Sequence, residues 1–138
     1  MFKSIVIAID TSEAAKKAIE VGADLARCCG SKVTLVHASA GPGNMLFEDP
    51  SIVAEGDQEL EEAEQLLKTT AEALSDLHPD TQIVDVPAGS HICNYAKSIG
   101  ADLIVIGRRH HGFMGELFGR SLSRSVLEHS DISILVAK

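Results

Sequence analysis

Apolar and polar positions along the chain follow two alternating periods. SIVIAID (4–10) is a β-branched apolar run that predicts a buried strand, and TSE after it offers Thr11 or Ser12 as a helix N-cap. Ala15, Ala18, Ile19, Gly22, Leu25 and Ala26 then recur at helical spacing, Gly30 supplies the stop, and KVTLVHASA (32–40) is the second strand. AGPGNMLFEDPS (40–51) keeps no period and predicts a loop, after which Leu60, Ala63, Leu67, Thr70, Leu74 and Leu77 mark a long helix whose acidic early half suits a positive helix N-terminus. His78 and Pro79 end that helix. TQIVDV (81–86) reads as a short strand, His91 to Ile99 as a brief helix with Ile92 and Ala96 on one face, and ADLIVIG (101–107) as a strand buried on both sides. A helix over 116–129 and the strand ISILVA (132–137) complete the pattern.

Strands alternating with helices predict an α/β fold: an open, doubly wound, five-stranded parallel sheet with helices on both faces and right-handed crossovers. In such sheets ligands bind beyond the carboxyl ends of the strands, a rule that singles out Ile9 and Asp10, His37 and Ala38, Val86, and Gly107. The chain of 138 residues suits one domain over 1–138.

Composition narrows the partners. The formal net charge of −8 disfavours nucleic acid and anionic membranes, and no apolar run approaches the length of a membrane span. Three cysteines, Cys28, Cys29 and Cys93, form no CxxC pair, so they are expected as small buried filler in a reducing cytoplasm. Aromatic residues make up 4%, which leaves the core to Ile, Val, Leu and Ala.

GRRHHGFMGELFGRS (107–121) joins the fourth strand to the next helix. A glycine-rich turn into a helix N-terminus presents unpaired N–H groups and a positive dipole end, an arrangement suited to phosphate oxygens. Four of the five arginines, Arg108, Arg109, Arg120 and Arg124, crowd into this region beside a single carboxylate, Glu116. They suit a small anionic ligand, or else an internal network of ion pairs. Adjacent histidines in a loop rarely both face one ion, so His110 and His111 predict no metal site. Ser121, Ser123 and Ser125 offer hydroxyls to a phosphate or merely cover a helix surface.

Taken together, IVIAIDTSEAAKKAI, KVTLVHASA, GADLIVIG and SVLEHSDISILVAK resemble the universal stress protein family, in its single-domain, UspA-like form, over nearly the whole chain. The resemblance implies a sheet of the adenine nucleotide alpha hydrolase type. It also implies binding of ATP, ADP or AMP, with Mg as a companion ion, and a cytoplasmic role in stress response or signalling. Residues implied at the nucleotide are Ala8, Ile9 and Asp10 after the first strand, Ala38 after the second, and Ile106 and Gly107 at the fourth. Beyond these come Arg109, His110, Gly119, Arg120, Ser121, Leu122 and Ser123.

The family's nucleotide-binding branch carries GxxG, nine residues, then Gly followed by Ser or Thr. Placed here without gaps, Gly107 meets the first glycine and Ser121 the hydroxyl residue, but His110 and Arg120 stand where the other glycines belong. Either the loop is one residue shorter and Gly119 takes the third place, or Arg120 and His110 fill the phosphate space, or their side chains grip phosphate. Asp10 with Thr11 and Ser12 also reads as helix capping. The alternative to nucleotide binding is therefore a dimeric interaction module with an altered pocket. No nucleophile, base and orienting group share a recognisable spacing, so catalysis extends at most to slow ATP hydrolysis. The resemblance further implies a homodimer through strand 132–137, whose apolar edge invites pairing.

Overall fold

The structure, a computed structural model, describes residues 1–39, 50–108 and 122–138, and leaves the side chains of 50–57 outside the description. Its elements are β1 (Ser4–Ala8), α1 (Glu13–Cys29), β2 (Lys32–Ala38), α2 (Pro50–Ala73), a 3-10 turn (Ser75–Leu77), β3 (Asp80–Val84), α3 (Ala88–Ser98), β4 (Leu103–Gly107), α4 (Leu122–His129) and β5 (Ser133–Ala137). All strands are parallel, in the order β3-β2-β1-β4-β5. The chain winds outward from β1 to β3, then returns to β1's other side for β4 and β5. The doubly wound expectation holds, with the winding reversing between β1 and β4.

The two faces of the sheet follow from strand alternation. Ile5, Ile7, Ile9, Val33, Leu35, Leu103 and Val105 pack under Ala18, Ala23 and Ala26 of α1, Leu67 of α2 and Leu74 just past the end of α2. Val6, Ala8, Val36, Ile104 and Ile106 pack under Ile92, Cys93 and Ala96 of α3 and Val126 of α4. The central strands are buried on both faces, which explains why LIVI shows no polar alternation. Small residues let α1 approach closely: a Cβ on Gly22 would lie 2.7 Å from Ile7 Cδ1.

Helix ends differ from the sequence reading where side-chain pattern gives no signal. α2 starts at Pro50, ahead of its periodic apolar positions, and a proline at the first helical position gives up no intrahelical hydrogen bond. It closes at Ala73, so Leu77 belongs to the separate turn that His78 ends in the left-handed region (φ 45°). α3 begins at Ala88 rather than His91. The early part of the expected 116–129 helix lies outside the described residues. Cys93 is buried as expected, but Cys28 is exposed and Cys29 half-buried, which corrects the expectation of filler: both sit at the C-terminal end of α1, past its last buried residue, Ala26.

At the strands' N-terminal end, Asp102 ties β4 to β1 across 98 residues of chain. Its two oxygens accept the backbone N–H groups of Lys3 (2.9 Å) and Ser4 (3.1 Å), while its own N–H donates to the Ser4 carbonyl (2.9 Å). The Lys3 N–H, foremost, holds this carboxyl below the ordinary carboxylate range.

Candidate functional site

The reversal between β1 and β4 opens a cleft at the C-terminal edge of the sheet, where the outgoing segments diverge. Its floor is Ala8, Ile9 and Gly107, its rim Asp10, Ser12, His37 and Ala38, and its flanks Ala14, Ala15, Ala88, Ile92 and Leu122. The described walls bound about 110 Å³.

Each polar group here is positioned by local backbone geometry. β1 leaves its ladder after Ala8, and Ile9 N–H makes a last bond to the Val36 carbonyl (2.8 Å). Asp10 Oδ1 then accepts Ser12 N–H (2.7 Å), a turn closed by a carboxylate. Ser12 is extended (φ −77°, ψ 157°), and its Oγ accepts Ala15 N–H (3.2 Å), so it is the N-cap of α1. Of the two capping candidates Ser12 performs the role, and Asp10 both supports the cap and faces the cleft. On the neighbouring strand, His37 Nδ1 lies 2.7 Å from the Ile9 carbonyl oxygen, joining the ends of β1 and β2 by a side chain. Ser39 N–H donates to the Val84 carbonyl (2.9 Å), fixing the backbone beyond Ala38.

Gly107 closes the floor for a reason the sequence did not reveal. A Cβ there would collide with the carbonyl carbon and oxygen of Ala14 and lie 2.9 Å from Ala14 Cβ. The first turn of α1 therefore rests on the Gly107 backbone, a requirement independent of any ligand. Arg108 follows, its N–H bonded to the Ala137 carbonyl (2.9 Å).

Of the residues implied at a nucleotide, Ala8, Ile9, Asp10, Ala38, Gly107 and Leu122 come together around the cleft. Ile106 is fully buried in the core beneath α3 and α4, and Ser123 is half-buried on α4; neither lines the cleft. Arg109, His110, Gly119, Arg120 and Ser121 lie outside the described residues. Arg124 pairs with Glu128 one turn along α4 (3.3 Å), as the internal-network reading of the arginines anticipated for one of them. Ser125 faces α3, where its side chain takes the space a Cβ on Gly89 would need, so it serves helix packing. His37, Ser12, Ala14, Ala15, Ala88 and Ile92 line the cleft without having been implied at a nucleotide; the strand-end rule pointed to His37, while the cap signal at Ser12 and the helical spacing of Ala15 and Ile92 marked local structure, not the cleft.

A larger open groove of about 690 Å³ runs between α2 and β3, lined among others by Leu67, Lys68, Glu72, His78 and Gln82. It flanks the sheet's edge and gathers none of the β1 and β4 strand ends, so the smaller cleft is the candidate site. Ligand pockets commonly measure about 300–1,000 Å³, so the about 110 Å³ bounded by the described walls has room for one small ring. Among the described residues no three His, Cys, Asp or Glu side chains gather as a metal site. Cys93 is no nucleophile for this cleft: its Sγ donates to the Val126 carbonyl (3.7 Å), and burial pushes the thiol up.

Fold and cleft together define a doubly wound α/β protein with a polar-rimmed site at the strand ends. The chain belongs to the universal stress protein family, whose model matches residues 1–138. It is 32% identical over 139 residues to the universal stress protein in the QAH/OAS sulfhydrylase 3' region of Thermus aquaticus, covering 100% of both chains. A crystal structure of a universal stress protein in complex with cAMP superposes with a TM-score of 0.74 at 18% identity, covering 99% of this chain and 97% of that one. The universal stress protein from Archaeoglobus fulgidus in complex with dAMP gives 0.68 at 21% identity, covering 99% and 98%. At these identities the structural likeness carries the fold. No helix among the described residues is long and apolar enough to cross a membrane.

Proposed function

We propose that the cleft binds an adenine nucleotide, ATP, ADP, AMP or cyclic AMP, in a stress-response or signalling protein of the cytoplasm, with Mg accompanying a polyphosphate. One observation carries the reading: the reversal between β1 and β4 brings Asp10, Ala38 and Gly107 around one cleft, at the strand ends where the sheet's topology favours ligands. The complexes of related proteins with cAMP and dAMP support it. Asp10 and Ser12 face the ribose, the backbone past Ala38 faces the base edge, and the residues after Gly107 take the phosphates. Any hydrolysis is slow, because Asp10 is engaged in the turn and the cleft's described lining brings no oriented nucleophile and base together.

The competing reading is an interaction module without nucleotide, favoured by His110 and Arg120 in the places of glycines. Mass spectrometry of protein purified without additions, with calorimetric titration of the four nucleotides, decides between them. Carried nucleotide or saturable binding supports the first; no binding at millimolar ligand overturns it. We also propose a homodimer through 132–137. β5 lies at the sheet's edge with Ile134, Leu135 and Val136 only half-buried, a surface that pairing with a second copy would cover. Sedimentation yielding only monomer at micromolar concentration would overturn it.

A further inference from the structure

The ladder between β1 and β2 stops one rung early at the cleft. In a parallel pair, alternate residues of a strand point both backbone groups at the same neighbour. The Val36 carbonyl faces β1, where it receives the Ile9 N–H (2.8 Å), and the Ser39 N–H faces β3, where it donates to the Val84 carbonyl (2.9 Å). Ala38, lying between Val36 and Ser39 in that alternation, therefore turns its N–H towards β1. One further rung would carry it to the Ile9 carbonyl. Among the described residues that rung is not made: the paired register ends at Ala8 and Val36, and His37 Nδ1 stands 2.7 Å from the Ile9 carbonyl oxygen instead. A carbonyl oxygen only accepts, so the ring donates.

This substitution of a side-chain donor for a backbone one matters because of where it falls. Ala38 is half-buried and lines the cleft beside Ile9 and His37. No other backbone carbonyl among the described residues receives its N–H towards β1. A backbone donor so placed takes its acceptor from the cleft, from water or from a ligand. Ile9, with its N–H on Val36 and its carbonyl on His37, is held at both backbone groups, so the donor is set before a ligand arrives.

We propose that His37 is a positioning residue: by occupying the Ile9 carbonyl it releases the Ala38 N–H from the sheet and presents it to a hydrogen-bond acceptor on the ligand. The proposal rests on the adenine reading above and adds to it the residue that turns the end of β2 into a base-edge donor. Ring nitrogens of adenine are acceptors of the kind required.

Amide hydrogen exchange, followed by NMR in the ligand-free protein, reads the backbone arrangement without any ligand. The Ala38 amide is expected to exchange faster than that of Val36 in the wild type. In His37→Leu a side chain of similar branching carries no donor, which leaves the Ile9 carbonyl to the Ala38 N–H, and exchange at Ala38 is expected to slow by about tenfold or more. In His37→Asn the side-chain amide takes the place of Nδ1 and keeps the Ile9 contact, so Ala38 is expected to exchange as in the wild type. Calorimetric titration with AMP is expected to show affinity about fivefold to tenfold weaker in His37→Leu, the worth of one neutral hydrogen bond, and within about twofold of wild type in His37→Asn.

An Ala38 amide that exchanges as slowly as Val36 in the wild type overturns the proposal, as does one whose exchange is unchanged in His37→Leu. Equal loss of AMP affinity in the two variants also overturns it and leaves the adenine reading standing. A wild type that binds no AMP at millimolar concentration overturns the adenine reading, and the ligand side of this proposal with it, while the exchange pattern still decides whether His37 frees the Ala38 N–H.

Discussion

Replacing Gly107 with Ala tests whether the glycine at the end of β4 serves the ligand or the fold. The added Cβ falls well inside van der Waals separation from the Ala14 carbonyl carbon and oxygen, and 2.9 Å from Ala14 Cβ. Carbon atoms rest about 3.5–4.0 Å apart, so the first turn of α1 must retreat by about 1 Å. That retreat is resisted, because Ala15 and Ala18 are buried and Gly22 already lies against Ile7 and Val105. Overpacking of this kind costs about 1–3 kcal/mol. With a urea slope of about 1–3 kcal/mol per molar, the unfolding midpoint should fall by roughly 1 M. The retreat also draws Ser12 and Asp10 away from the cleft, so nucleotide affinity should fall in the same variant. Equilibrium urea unfolding followed by far-ultraviolet circular dichroism, without ligand, is the assay. Stability within about 0.5 kcal/mol of wild type, with binding abolished, would refute the packing argument and leave ligand approach as the reason for glycine.

Ser12→Ala removes the α1 cap and is expected to lower stability by about 1 kcal/mol, with Ser12→Asp restoring most of it; thermal melts of the three proteins check the pattern. Gly30→Ala places a side chain in the left-handed region (φ 66°) with open space around it, so a loss of about 1 kcal/mol is expected from backbone strain alone, with ligand affinity intact. Asp102 gives a pH signature. Its folded-state pKa is lowered, so its contribution is in force above the ordinary carboxylate range and is lost as pH falls through the lowered value. The gap in urea midpoint between wild type and Asp102→Asn should therefore be present at about pH 7 and close towards about pH 3; a gap independent of pH would contradict the assignment.

Strands and the buried stripes of helices were legible in the sequence because their signal is periodic and local. Ile92 and Ala96, one turn apart, are both buried, and the unbroken LIVI run is covered on both faces. The start of α2 was not legible, since Pro50 precedes the apolar repeat that announces the helix. At the site, topology alone chose Asp10, Ala38 and Gly107, because strand ends follow from strand order. The role of Gly107 was hidden, as its partner is the backbone of Ala14, 93 positions earlier in the chain. Ser125 stood open between a phosphate hydroxyl and a helix surface for a similar reason: Gly89 on another helix decides where it packs. The burial of Cys28 failed as an expectation because it followed from residue type, without regard to a helix end that runs out past the core.

The tie between Asp102 and the start of β1 also bears on the order of folding. β1, α1 and β2 form a unit contained in residues 4–38, and its ladder needs only a short closure. The β1–β4 ladder joins Ile5 to Leu103, and the clamp spans 98 residues, so its closure entropy is larger and it must await most of the chain. The cleft lies between those two strands and so forms only at that second step. Pulse-labelled hydrogen exchange should find the β2 amides protected before that of Val105. Made from its N-terminus, the chain is expected to gather the β1–α1–β2 unit first, and to close the cleft only after β4 has been made.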